Sequence, residues 1–289
     1  MKTKVWLSSI LATTVAFVLF FILTLGVIYA ASTTVTFSVN LSLSGNTAPV
    51  IRWVQTGLSA NPSEKTTRTI YIAFNATDDN GFDDIVGTSA TIVLMHNGEI
   101  HRTGSCVQVY NNTLGMGFNC SVNMQYYDVE GDWTINVSVT DQSTSRIENT
   151  TYTFAFGALE AVQGGQSGIS FAGASLGNMM GSTNDPFQLD NTGNINFTYM
   201  NLTAYSLRGA VDPTKYIDAP NFAVNATGDA WGTALVNNSA VNVPGALLLR
   251  DMGGSDQNES LYFWVNVPSS GLSNQNYTSG SNWVIKVGR

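Results

Sequence analysis

Apolar and polar residues trade places with a period of two along much of this chain. After an uncharged run from Val5 to Ala31 comes TTVTFSVNLSL, where Val35, Phe37, Val39, Leu41 and Leu43 alternate with Thr36, Ser38, Asn40 and Ser42. That is the pattern of a half-buried β-strand. It returns in TIYIAFNAT (Ile70, Ile72, Phe74), WTINVSVTD (Trp133, Ile135, Val137, Val139) and TYTFAF (Tyr152, Phe154, Phe156). It returns again in INFTY (Ile195, Phe197, Tyr199), SLYFWVNV (Leu261, Phe263, Val265, Val267) and NWVIKV (Trp283, Ile285, Val287). Turn-forming clusters such as DNTGN at 190–194, MGGSD at 252–256 and PSSGL at 268–272 separate the runs. No helical period appears after the first apolar run. The prediction is an all-β protein with two tandem β-sandwich domains, Ig-like or jelly-roll-like, after an N-terminal hydrophobic helix. The expected divisions are 1–31 for the hydrophobic segment, 32–46 for an N-terminal strand and link, 47–158 for the first sandwich, 159–168 for a Gly-rich linker and 169–289 for the second.

The 27 residues from Val5 to Ala31 are long enough to span a bilayer, for which about 20 suffice. Ala30, Ala31 and Ser32 also offer small residues of the kind that signal-peptide cleavage requires. Lys2 and Lys4 set the N-terminus inside and all that follows outside, whether the segment is removed or kept as an anchor. The expected location is therefore the cell surface or beyond, with the membrane as a partner if the segment stays.

Composition agrees with export. Charged residues make up 11% of the chain, against about 25% in ordinary globular proteins. Twelve N-x-[ST] sequons stand at Asn40, Asn75, Asn111, Asn119, Asn136, Asn149, Asn196, Asn201, Asn225, Asn237, Asn258 and Asn276. Random placement in a chain of this composition gives about six. Hydrated glycans at such sites would do the solubilising that charge does elsewhere. The net charge of −8 and the lack of a basic patch exclude a nucleic-acid partner. Cys106 and Cys120 flank YNNTLGMG, which reads as a hairpin turn, so a disulfide would staple that hairpin.

Candidate chemistry is sparse. GASLG at 173–177 fits G-x-S-x-G with Ser175 as nucleophile, but a loop-like NMMGSTNDP follows it and both histidines, His96 and His101, lie upstream. No catalytic residue is assigned, and no cofactor other than Ca2+. The acidic stretch NATDDNGFDDI groups Asp78, Asp79, Asn80, Asp83 and Asp84, and Asp141 ends WTINVSVTD. If the two preceding strands run the same way, both loops reach one pole. Two readings stand there: oxygen ligands for Ca2+, or Asp and Asn capping turns through their own side chains.

NTAPVIRWV, AFNATDDNGFDDI and GDWTINVSVTD together resemble the Ig-like (PKD- and cadherin-related) modules of secreted archaeal and bacterial surface proteins. The second half, through ISFAGASLG, FQLDNTGNINFTYMNLTAYSLRG and SLYFWVNVPSSGL, is similar to sandwich modules of archaeal surface proteins. It also resembles the jelly-roll subunits of TasA-type filaments, in which an N-terminal strand is donated to a neighbour. The resemblance implies a non-catalytic structural subunit of an S-layer-like lattice or filament, with itself as partner and Val35, Phe37, Val39, Leu41 and Leu43 as the donated face. An adhesin held at the membrane, touching a glycan or partner through Tyr262 and Trp264, is the alternative.

Overall fold

The computed structural model describes residues 36–41, 45–253 and 257–289. The segment 1–31 lies outside them, as do Val35 and Leu43. Asn46–Arg289 form one compact unit. The described part is all-β apart from three single-turn 3-10 helices.

The first half has eight strands: β1 (Val50–Val54), β2 (Ser59–Ala60), β3 (Thr67–Thr77), β4 (Thr91–Met95), β5 (Arg102–Asn112), β6 (Gly115–Gln125), β7 (Gly131–Thr140) and β8 (Arg146–Phe156). They hydrogen-bond as a single sheet in the order β1-β3-β6-β5-β4-β7-β8-β2, rather than as two separate sheets. All pairs are antiparallel except β2 with β8. The sheet encloses one core, filled by the faces that alternation predicts: Ile70, Ile72 and Phe74 from β3, and Trp133, Ile135, Val137 and Val139 from β7. Phe74 lies opposite Phe118 across the β3–β6 ladder and stacks on it at 4.8 Å between ring centroids. Trp133 is wholly buried, and its Nε1 donates to the carbonyl of Val129 at 3.0 Å, so no polar atom is stranded.

The second half builds its own core from shorter strands: β9 (Val162–Gly164), β10 (Met179–Gly181), β11 (Phe187–Asn191), β12 (Tyr199–Thr203), β13 (Leu207–Gly209), β14 (Tyr216–Ile217), β15 (Phe222–Asn225), β16 (Thr233–Ala234), β17 (Ala240–Asn242), β18 (Asn258–Asn266), β19 (Tyr277–Ser279) and β20 (Val284–Gly288). β18 is the spine: β15, β11 and β10 all pair with it, and three-stranded sheets β17-β12-β20 and β14-β13-β19 complete the half. Leu261, Phe263 and Val265 of β18 face the core, as does Val267 just beyond it. Trp283 packs edge-on against Phe222 and donates Nε1 to the carbonyl of Tyr205 at 3.0 Å. The predicted face of INFTY does not hold. Ile195 and Phe197 are buried, but Thr198 and Tyr199 are both exposed, and the buried side resumes at Met200 and Leu202. Phe197 makes an isolated bridge to Leu248, and the paired strand starts only at Tyr199, so the alternation slips by one between the two.

Residues 159–168 are not a free tether. β9 pairs with β11, and the turn 191–194 is bonded back to 159–161. Asn194, 1% exposed, carries this junction. Its Oδ1 accepts from the Leu159 N–H at 2.6 Å, and its Nδ2 donates to the carbonyls of Asp128 and Gly157, both at 2.9 Å. Beside it Thr192 donates to Glu64, and Arg250 donates Nη1 to the carbonyl of Tyr127 at 3.0 Å while pairing with Glu99 through Nη2. Gly193 must be glycine, because a Cβ there would stand 2.0 Å from the Leu159 carbonyl oxygen.

The expected N-terminal strand is not seen over residues 36–41, which belong to no ladder. Phe37, Val39 and Leu41 are 80%, 76% and 79% exposed. An alternating segment holds strand form only against a second strand.

Asn194→Ala leaves one buried donor and two buried acceptors without their partner. Denaturant unfolding of the variant is expected to show a loss of about 2–3 kcal/mol, with the two halves no longer melting together. A loss below about 0.5 kcal/mol, the range of ordinary surface changes, contradicts the junction described.

Candidate functional site

Strand direction creates the acidic pole. Four antiparallel steps separate β3 from β7 in the sheet, so the two strands run the same way and end at the same pole. Asp78 follows β3 and Asp141 follows β7. Between them the chain turns at Gly81, whose φ of +106° suits glycine, into a single 3-10 turn (Phe82–Asp84). Ile85 then bridges to Asp141, with Val86 N–H on the Thr140 carbonyl and Gln142 N–H on the Asp84 carbonyl. That clamp turns Asp84 back toward the other two acids.

Asp78, Asp84 and Asp141 each present a carboxylate oxygen within 4.8 Å of the other two. Asp78 is 2% and Asp141 1% exposed. Oδ1 of Asp78 accepts from the Asn80 N–H at 2.8 Å, an Asx turn. Asp141 accepts from Asn46 Nδ2 at 2.9 Å and from the Ser145 N–H at 2.7 Å. Oδ2 of Asp78 and Oδ2 of Asp84 are buried and accept no hydrogen bond. Among the described residues the ion pairs use Asp128, Glu148, Glu99, Glu130 and Glu160, so no Lys or Arg neutralises the three acids. Desolvation, and then the charges of Asp78 and Asp141, hold the Asp84 carboxyl above its usual range. The Asn46 hydrogen bond chiefly, helped by Ser145, holds Asp141 below it.

The structure thus assembles three of the six residues that the acidic motif suggested. Asp79 and Asp83 are exposed and outside the cluster, and Asn80 Oδ1 instead accepts from the N–H and Oγ1 of Thr47, both at 2.8 Å. Sequence spacing missed Asn46. It is a sequence neighbour of no other member, and its role appears only when β7 ends beside it.

The other candidates fall in different places. Cys106 and Cys120 are bonded, directly opposite each other on β5 and β6. Such a staple is worth about 3 kcal/mol in the loop-entropy picture. Ser175 lies in a turn that leads into β10 and not into a helix, so no nucleophile elbow forms. His96 sits beside Trp133 at 5.5 Å between ring centroids, and His101 is exposed. None of the twelve sequon asparagines is buried; Asn111, Asn119, Asn237, Asn258 and Asn276 are among the exposed ones. Asn136 is half-buried within the β7 ladder, with Nδ2 directed at Glu148. Tyr262 and Trp264 are half-buried, with ring atoms packed near Gly228 and Gly181, and do not form an exposed aromatic platform.

A groove of about 1180 Å3 opens over the second core, between the 166–176 loop and the 272–279 segment, with the buried Phe222, Phe263 and Val265 and the half-buried Trp283 beneath it.

No protein-family model matches the chain, and no curated protein matches it. Among solved structures it is similar to the secreted serine protease VesC from Vibrio cholerae, at 12% identity over 81% of this chain and 50% of that chain, with a TM-score of 0.20. The chain spans about half the length of that protein, and a superposition so loose carries neither fold nor chemistry across.

Proposed function

We propose that this chain is an exported, non-catalytic structural subunit of a cell surface, N-glycosylated and assembled with copies of itself into a filament or an S-layer-like lattice. The observation that carries the proposal is the segment 36–41. Most alternating apolar faces of the described chain are turned into two cores, Val107 and Val109 of β5 being exceptions, whereas Phe37, Val39 and Leu41 stand 76–80% exposed. An unpaired strand with a clean apolar face is completed by adding it to another sheet. The receiver proposed for it is the groove over the second core of a neighbouring copy, between the 166–176 loop and the 272–279 segment.

Strand order supports an Ig-like reading of the first half. With β1, β3, β4, β5, β6, β7 and β8 lettered A, B, C, D, E, F and G, the observed order is A-B-E-D followed by C-F-G. The second half is read as the jelly-roll-like partner. An adhesin loses its main support, since Tyr262 and Trp264 are not presented to solvent as a pair.

Negative-stain imaging of the purified protein should show filaments or a lattice. Deleting residues 33–43 should abolish them while leaving the melting temperature of the compact unit unchanged. Assemblies that persist in the deletion variant would sink strand donation. Monodisperse full-length protein that captures a glycan would favour the adhesin. Peptide mapping of the native protein should find glycans at exposed Asn111, Asn119 and Asn258 and none at Asn136, where the ladder holds the amide; an unmodified chain contradicts the glycoprotein reading.

A further inference from the structure

We propose that Asp78, Asp84 and Asp141 form the carboxylate face of a binding site for one hard divalent cation of the calcium class, at the pole where Asn46 and Thr47 are bound. The proposal does not depend on strand donation; either stands if the other fails.

Clustered acids alone would not carry this, because Asp and Asn cap turns without any ion. Such caps spend their oxygens on nearby N–H groups or on water. Here one oxygen of Asp78 does cap a turn, but Oδ2 of the same 2%-exposed side chain is buried and accepts nothing, and Oδ2 of Asp84 is buried and bare as well. Both side chains, with that of Asp141, bring an oxygen within 4.8 Å of the others. A buried carboxylate left unpaired is among the costliest groups in a folded protein, and it is normally matched by a cation, a hydrogen-bond donor or a proton. No Lys or Arg among the described residues pairs with these three.

The ligand set suits calcium better than its competitors. All donors are hard oxygens, with no His or Cys in the group, which excludes the softer transition metals. The oxygens come from two loops and a 3-10 turn. Calcium tolerates such an irregular shell of six to eight oxygens, completed by water, whereas magnesium demands a near-regular octahedron.

The site has a consequence for the chain entry. Asn46 donates to Asp141 and Thr47 donates to Asn80, two residues past Asp78. A cation that locks the 78–84 loop against Asp141 therefore also fixes the first two residues of the compact unit.

Calorimetric titration of chelator-treated full-length protein with CaCl2 should show one saturable site. At a calcium concentration a hundred times the dissociation constant, the melting temperature should rise by about 5–10 °C. Asp84→Asn should abolish both the binding heat and the rise, while melting no lower than the calcium-free parent, because it removes a repelling charge. Asp79→Asn and Asp83→Asn should bind as the parent does. No binding heat and no rise at millimolar Ca2+ would overturn the proposal. A full rise retained in Asp84→Asn, or lost in Asp79→Asn, would overturn this assignment of ligands.

Discussion

Asn194 bonds three backbone groups from both sides of the junction between two hydrophobic cores, and the rest of the molecule depends on that contact. Leu159, Asp128 and Gly157 would each bury a backbone group with no partner if the two halves separated while staying dry. The Arg250–Glu99 pair and Thr192 on Glu64 act across the same seam. Polar groups buried this way specify geometry more than they add stability, since each bond made inside replaces one made with water. The consequence is one body with a fixed relation between a disulfide-stapled sheet and a second core crossed by a groove.

A rigid body of this kind suits a building block. Its surface carries few charges and many asparagines, and β3, β6 and β7 turn apolar faces inward. Among the apolar side chains left exposed are Phe37, Val39 and Leu41, and a groove crosses the second core above Phe222 and Phe263. The acidic pole contributes differently, because its hydrogen bonds to Asn46 and Thr47 tie the entry of the chain to the loops after β3 and β7.

Much of this was legible in the sequence wherever one strand face is dry and the other wet. Ile70 to Phe74, Trp133 to Val139 and Leu261 to Val267 alternate because each turns one face into a core. Legibility failed where long-range pairing overrides local pattern. Tyr199 looked like the third buried residue of a strand, but Phe197 bonds to Leu248 and the ladder with β20 begins two residues later, so the face slips. The Gly-rich 159–168 stretch read as a linker, because nothing local reveals that Asn194 and Thr192 will claim its backbone. At the acidic pole the motif named six residues. Strand direction chose Asp78, Asp84 and Asp141, while the exposed Asp79 and Asp83 are sequence neighbours that the turn points outward. Asn46 could not be found from spacing at all, lying 95 positions from Asp141.

The central claim is that the apolar face of residues 36–41 finds its partner strand in another copy. Amide hydrogen exchange of that segment, in dilute monomer and in assembled protein, tests it most directly. The account predicts rapid exchange in the monomer and strong protection on assembly, together with new protection in the segments that border the groove, 166–176 and 272–279. Protection already present in dilute monomer, or assemblies in which residues 36–41 exchange freely, would contradict it.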